Sequence, residues 1–501
     1  MRPRAMLCFT LATATLLCVG SAAVFAQPTP AVPIKIAVDW KSAPQPLRTT
    51  ATLQVVVNPL LRRGSPIHDA AFANLKELGA DYVRYVPWLP YPRLAVAELE
   101  PPASGTTSWD FSLIDPMTTD FLRATRGHTV ILNFSTIPAW MYQTAKPVEY
   151  PKDPDKVVWN YTQGSQLRDP SRNELAGYYE RLVSWYTKGG FTDEAGKRHT
   201  SGHHFNIAYW EVFNEADMEH RPSPAEYTAN YDAIVERLHK LNPSMKFVGL
   251  ALALPERNPA MFEYFLNHAN HKPGIPLDMI SYHFYATPAR EQNPDNWQYS
   301  FFDQADKFIV AAQHIDAIRK RLSPATKVDM DEVGSILPAD GHTDAPYAAE
   351  PPIPPVYWQA SGALYAYVYL EAAKLGIDVV GESQLVGYPS QYPSVTLLDW
   401  TTGKPNARFE VLRLLRENLT PGDVLNKTKF VGSDVDAQAF SGSAGRRLLL
   451  INKRNRSIAV GIPAEFAGGR IASSQGDSPA SPGSGDTVTL PPFAVVLIHQ
   501  R

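Results

Sequence analysis

The sequence predicts an α/β fold, a (β/α)8 TIM barrel with a small accessory β-sandwich domain, and three observations predict it. Past about residue 50, short apolar runs alternate with segments whose apolar positions recur at helical spacing, the pattern of a parallel sheet covered by helices. The alternation can be counted eight times over about 370 residues, within the reach of an expanded barrel. From Val424 onward the helical period stops, and short β runs between turn clusters replace it.

Taken in order, strands are predicted at 53–57, 81–86, 129–134, 207–213, 246–250, 277–283, 328–332 and 377–381. The intervening helices are predicted at 69–78, 112–126, 173–186, 223–241, 259–268, 303–322, 359–375 and 406–417. The first helix shows Phe72, Leu75 and Leu78 on one face and stops at Gly79, while the fourth opens on Ser223-Pro224, a cap followed by a residue pre-set for the first turn. A doubly wound open sheet is the rival, but no Gly-rich phosphate turn follows the first strand. Beyond the barrel, β runs at 437–440, 447–451, 458–462, 488–490 and 494–498 read as the sandwich, and the strand-like 34–38 is expected to join it. The domain reading is therefore a signal peptide at 1–26, an N-terminal segment at 27–50 packing on the β-domain, a catalytic barrel at 51–423 and a β-sandwich at 424–501.

Composition narrows the function. Of 501 residues, 44% are hydrophobic and 19% charged, which excludes disorder as the main state. A net charge of −3 supplies no basic field for nucleic acid, and no polybasic run draws the chain to an anionic membrane, so a neutral partner is expected. The 44 prolines imply many ordered loops. Arg2 and Arg4, the apolar run that follows, and Ala23 and Ala26 before Gln27 read as a cleavable export signal, giving a secreted or periplasmic protein. Cleavage would remove Cys8 and Cys18 and leave no disulfide. Sequons occur at Asn133, Asn160, Asn418, Asn426 and Asn455; the first lies inside an apolar strand and is read as chance.

In this fold, chemistry sits at the carboxyl ends of the strands. Strand four ends Tyr209-Trp210-Glu211-Val212-Phe213-Asn214-Glu215, and strand seven ends Val328-Asp329-Met330-Asp331-Glu332-Val333-Gly334. Two carboxylates facing one mouth suit acetal hydrolysis, where one protonates the departing oxygen and the other attacks the anomeric carbon or activates water. Asp331 and Glu332 are adjacent, so on an extended backbone they point opposite ways and only one can face the mouth. Glu211 shares the parity of Glu215 and is expected deeper, as a buried polar group.

These residues resemble a clan A glycoside hydrolase, most closely family 39, with its β-xylosidases. Trp210-Glu211-Val212-Phe213-Asn214-Glu215 is similar to the family's acid/base motif, and the resemblance implies Glu215 as general acid/base and Glu332 as nucleophile. Tyr82-Val83-Arg84, Trp109-Asp110-Phe111 through Asp115, Ile280-Ser281-Tyr282-His283 and the stretch 397–409 match in order. Two departures stand out: Asp331-Glu332-Val333 replaces Thr-Glu-Tyr or Thr-Glu-Phe, and Gly381-Glu382-Ser383-Gln384 stands where an aromatic is common. Asn214 is expected to bind a 2-hydroxyl. Arg84 either holds the nucleophile ionised or closes a barrel salt bridge, and His283 either contacts substrate or is a satisfied core histidine. Tyr285 and Trp140, with Trp88, Tyr91, Tyr142, Trp297 and Trp400, are candidates for stacking on sugar faces.

No cofactor or metal is expected, because the first strand lacks a His-x-His pair and His203-His204, His268 and His271 have no companion carboxylate motif. The implied activity is retaining hydrolysis of O-glycosidic bonds, β-linked, in oligo- or polysaccharides. The alternative is a non-catalytic glycan-binding protein on the same barrel.

Overall fold

The computed structural model describes residues 33–159, 164–289, 292–338, 340, 353–389, 391–474, 481–482 and 486–501. The leader read at 1–26, with both cysteines, lies outside the described residues. Eight parallel strands close into a barrel: β1 (Thr50–Val56), β2 (Val83–Val86), β3 (Val130–Leu132), β4 (Tyr209–Glu211), β5 (Lys246–Leu252), β6 (Met279–Ala286), β7 (Lys327–Ser335) and β8 (Val379–Glu382). Each strand pairs with the next in sequence, and β8 closes on β1 through Val379 opposite Thr50.

The helices that cover it are α1 (His68–Leu78), α2 (Ile114–Ala124), α3 (Asn173–Thr187), α4 (Pro224–Leu241), α5 (Pro259–Phe265), α6 (Trp297–Leu322), α7 (Pro355–Leu375) and α8 (Ala407–Asn418). Their ends follow local chemistry. α1 stops where Gly79 turns left-handed at φ 56, and α4 starts with a capping box in which Ser223 and Glu226 each accept from the other's backbone N–H.

Strand alternation sorts the side chains. On β1, Leu53 and Val55 join the core beneath the helices, while Gln54 points into the barrel and meets Arg84 from β2. Some boundaries differ from the sequence reading. β6 and β7 run on to Ala286 and Ser335 because Phe284, Tyr285 and Ala286 pair with Val333, Gly334 and Ser335. α6 begins at Trp297 rather than 303, directly after a turn over Pro294–Asn296 that the Asn293 side chain caps.

The C-terminal region holds β9 (Val424–Lys429), β10 (Val435–Gly442), β11 (Gly445–Asn452), β12 (Ile458–Gly461), β13 (Ile471–Ser473), β14 (Ser481–Pro482), β15 (Thr487–Leu490) and β16 (Val495–His499). The larger sheet runs β13-β16-β11-β10-β9, then Ala37–Asp39, with Gln45–Pro46 also on β9. The smaller sheet runs Ile34–Lys35, β12, β15, β14. β9, β13 and β14 were not separately legible in the sequence. Alternation buries both faces of the larger sheet: Ala437, Leu448, Leu450, Val496 and Ile498 form the sandwich core, while Phe440, Leu449, Ile451, Val495 and Leu497 join the core of the barrel. No helix among the described residues is long and apolar enough to cross a membrane.

One buried acid away from the mouth gives a test of the fold. Glu98 is fully buried, and neither of its oxygens has a hydrogen-bond donor among the described residues. Burial first, and then the nearby charge of Glu194, pushes its carboxyl up to about 8. An unfolded glutamate titrates near 4.3, so between about pH 4.5 and 8 the folded chain binds more protons and loses stability as pH rises. Glu98→Gln is therefore expected to shrink the fall in Tm between pH 5 and pH 9 by about 2 °C or more. An unchanged fall would mean that Glu98 is ionised in the fold.

Candidate active site

Past Glu211, the end of β4, the chain turns sharply. Phe213 at φ 65 and Glu215 at φ 42 occupy the left-handed region that side chains rarely adopt, as do Leu250 at φ 85 and Ala251 at φ 44 on β5. The Glu215 N–H donates to the Ala251 carbonyl at 2.8 Å, which fastens one turn to the other and holds the Glu215 carboxyl over the barrel mouth.

On β7 the register slips. Ser281 lies opposite Asp329 and His283 opposite Glu332, while on the other side Met330 faces Val380 and Val333 faces Glu382. One extra residue is thus accommodated as a β-bulge at Asp331. The bulge overturns the expectation that Asp331 and Glu332 point opposite ways. Both reach Arg84: Asp331 Oδ2 lies 3.0 Å from Nε, and Glu332 Oε1 lies 2.6 Å from Nη1.

Arg84 is the hub beneath the mouth. Its Nε donates to Glu211, Nη1 to Gln54 Oε1 at 2.9 Å as well as to Glu332, and Nη2 to Asn214 Oδ1 at 2.7 Å. Burial alone would drive its pKa down, but the charges of Asp331, Glu211 and Glu332 outweigh burial and hold it well above its ordinary value. Glu211 is buried and also accepts from Asn133 and Ser281, which leaves the Asn133 sequon inside the barrel.

His283 links the two glutamates. Its Nδ1 lies 3.2 Å from Glu215 Oε1 and 3.6 Å from Glu332 Oε2, and an oxygen of each glutamate lies within 4.8 Å of the other. Burial opposes a charge on the ring, but Glu332 and Asp331 outweigh it and raise the imidazole well above its usual value. Burial also raises Glu215, an effect that its bond to His283 and the imidazole charge only partly offset. Asp331 is lowered, because Arg84 and His283 overcome the effect of its burial.

Glu215, Glu332, Asn214 and Tyr285 line one pocket together with Gln54, Trp88, Ser383, Gln384 and Tyr392. Tyr285 touches Glu332 Oε2 at 2.6 Å. Asn214, its oxygen taken by Arg84, donates from Nδ2 to Glu219 at 3.3 Å, and Trp88 donates to the same Glu219 oxygen at 2.7 Å. Burial and the charge of Glu215 push Glu219 up to about 8.

Three of the residues singled out in the sequence stand outside the lining of this pocket. Arg84 and His283 are buried, with their polar atoms turned to carboxylates rather than to the pocket. Trp140 does not line the pocket, because its indole N–H donates to the Glu98 carbonyl and Arg168 lies over its ring. Gln54, Ser383 and Tyr392 were missed. Gln54 had a signal, a polar residue at an inward position of an apolar strand; Tyr392 sits in a loop with none.

Glu215, His283 and Glu332 are also the one grouping of three metal-donor side chains among the described residues. Arg84 Nη1 and the Tyr285 hydroxyl each already sit on one oxygen of Glu332. A larger hollow of about 720 Å³ opens at the other end of the barrel, near Arg123, Arg126, His128, His203 and His204. It has no carboxylate in its walls and lies at the end of this fold that serves stability.

Residues 432–498 match the immunoglobulin-like C-terminal domain of D-apionate lactonase, and no residue of the pocket falls within that match. Sequence comparison with curated proteins gives no match. Among solved structures, the chain is similar to a family 51 α-L-arabinofuranosidase from Bifidobacterium longum, at 14% identity over 94% of this chain and 100% of that one with a TM-score of 0.60. It is also similar to a glucosidase from Croceicoccus marinus, at 14% identity over 93% and 98% with a TM-score of 0.57. A GH30 endoxylanase from Clostridium papyrosolvens matches at 13% identity over 93% and 100%, TM-score 0.53. At such identity the likeness is one of architecture: the chain is a TIM barrel of the kind these glycoside hydrolases share, joined to an immunoglobulin-like C-terminal domain.

Proposed function

We propose that the protein is a retaining glycoside hydrolase in which Glu332 is the nucleophile and Glu215 the general acid and then base. The observation that carries the reading is the spacing of the pair, with oxygens of Glu215 and Glu332 within 4.8 Å on one imidazole nitrogen. Inversion needs about 6.5–9.5 Å between the carboxyls to seat a water, whereas double displacement works at about 5–5.5 Å.

Glu332 attacks the anomeric carbon while Glu215, its proton favoured by burial, passes that proton to the departing oxygen. Glu215 becomes a carboxylate beside the His283 imidazolium, which stabilises the charge it has gained. In the second step Glu215 takes a proton from water, and the oxygen of that water displaces Glu332. Asn214, fixed by Arg84, offers Nδ2 to the 2-hydroxyl, where the contact strengthens as the ring takes on oxocarbenium character. The ordered motifs support family 39, and the leader at 1–26 supports export.

A panel of 4-nitrophenyl glycosides tests the reading, starting with β-xyloside and β-glucoside and running the α-linked and arabinofuranosyl partners alongside. Proton NMR of the first product is expected to show the anomeric configuration of the substrate. An inverted first product would overturn double displacement. Turnover of sugar lactones with none of the glycosides would favour the chemistry named by the C-terminal match instead.

A further inference from the structure

Both oxygens of Glu332 are held by hydrogen bonds that lead back to one guanidinium. Arg84 Nη1 donates to Oε1 at 2.6 Å, and the Tyr285 hydroxyl lies 2.6 Å from Oε2 and 2.6 Å from Ser383 Oγ. Tyr285 has a single proton to give, and burial with the Glu332 charge raises its pKa well above the ordinary phenol value, so it keeps that proton. A carboxylate only accepts. The Tyr285 proton therefore goes to Glu332, and the contact with Ser383 must be donated by Ser383. With its proton committed, Ser383 accepts from Gln54 Nε2 at 2.6 Å. Gln54 faces a guanidinium that can only donate, so it must present Oε1 to Arg84 Nη1, at 2.9 Å. Donors then run from Arg84 to Gln54, Ser383, Tyr285 and Glu332, and the direct Arg84 bond closes the ring.

We propose that Gln54 and Ser383 are positioning residues for the nucleophile, fixing the direction of the Tyr285 hydroxyl so that Glu332 is gripped on both oxygens. Neither touches Glu332; Ser383 acts through Tyr285, and Gln54 acts through Ser383 and, on its other side, through Arg84. Ser383 lies in the strand-eight stretch that departs from the family pattern, so the ring gives that departure a purpose. The inference rests on Glu332 being the nucleophile.

A double-mutant cycle on the 4-nitrophenyl glycoside selected by the panel tests it. Ser383→Ala is expected to lower kcat by about tenfold with KM within about twofold, a loss typical of one coupled link in a buried network. Gln54→Leu breaks a different link and should give a similar loss. In a Tyr285→Phe background the Ser383→Ala loss should vanish, because the hydroxyl it orients is gone, and the Gln54→Leu loss should shrink to the part carried by its bond to Arg84. A Ser383→Ala loss that persists in that background, a Gln54→Leu loss that does not shrink in it, or no loss in the parent would overturn the ring. Circular dichroism and Tm confirm that each variant folds, and should one of the two fail, the other carries the cycle. Turnover by Glu332→Gln would sink the nucleophile reading itself; a dead Glu332→Gln with additive Ser383 and Tyr285 losses sinks the ring alone.

Discussion

Glu332→Gln is expected to lower kcat/KM by on the order of 10⁴-fold or more, since an amide cannot form the glycosyl ester. The amide is also misfitted to its donors, because Arg84 and Tyr285 occupy both oxygens and the new NH2 must face one of them. Tm should therefore be recorded beside activity. Glu332→Gly removes the misfit and opens space where the carboxylate stood. Azide in that space is expected to restore turnover of an activated aryl glycoside and to release a glycosyl azide of inverted configuration, since only one displacement occurs. Full activity of Glu332→Gln would remove the nucleophile from the mechanism.

Glu215→Ala gives a loss that depends on the leaving group. For a poor leaving group, protonation is needed in the transition state, and kcat/KM should fall by about 10²–10⁴-fold. For 2,4-dinitrophenolate, which departs without a proton, the fall should be under about tenfold in the same terms. Azide is expected to yield a glycosyl azide of retained configuration, because Glu332 still makes the first displacement and azide the second. The pH profile carries a further sign. Burial raises Glu215, and cleavage needs its proton, so parent kcat/KM should decline as pH rises through a value above the ordinary carboxylate range. In Glu215→Ala that alkaline decline should be absent with the activated substrate. An equal loss for both leaving groups would point away from acid catalysis.

Much of the barrel was legible because eight strands and helices repeat one period contrast, and caps such as Ser223 and Gly79 mark the ends locally. Glu215 and Glu332 were legible for a related reason: the fold dictates which ends of the strands meet, so residues there can be paired without knowing distances. What stayed hidden depends on contacts between strands. The Arg84 side chain could be placed inside the barrel, but its four hydrogen-bond partners and the Asp331 carboxylate come from β1, β7 and the end of β4, and no spacing along the chain encodes them. The direction of Trp140 was not legible, because an aromatic in a mouth loop can as well turn to the scaffold, as the bond from its indole N–H to the Glu98 carbonyl shows. The pairing of Asp331 with Glu332 failed for a sharper reason, since alternation assumes one residue for one position.

At Asp331 that assumption breaks in a way that separates a residue's side chain from its place in the count. Asp329 and Glu332 lie opposite Ser281 and His283, and Met330 and Val333 lie opposite Val380 and Glu382, with Asp331 unmatched on both sides. Removing Asp331 altogether would leave every one of those pairs opposed and restore an unbroken alternation. A deletion inside a strand ordinarily swings all that follows to the wrong face; here it is the change that leaves the alignment intact. β7 is thus a regular strand carrying one guest, and scanning by substitution, which keeps the chain length constant, could never reveal it.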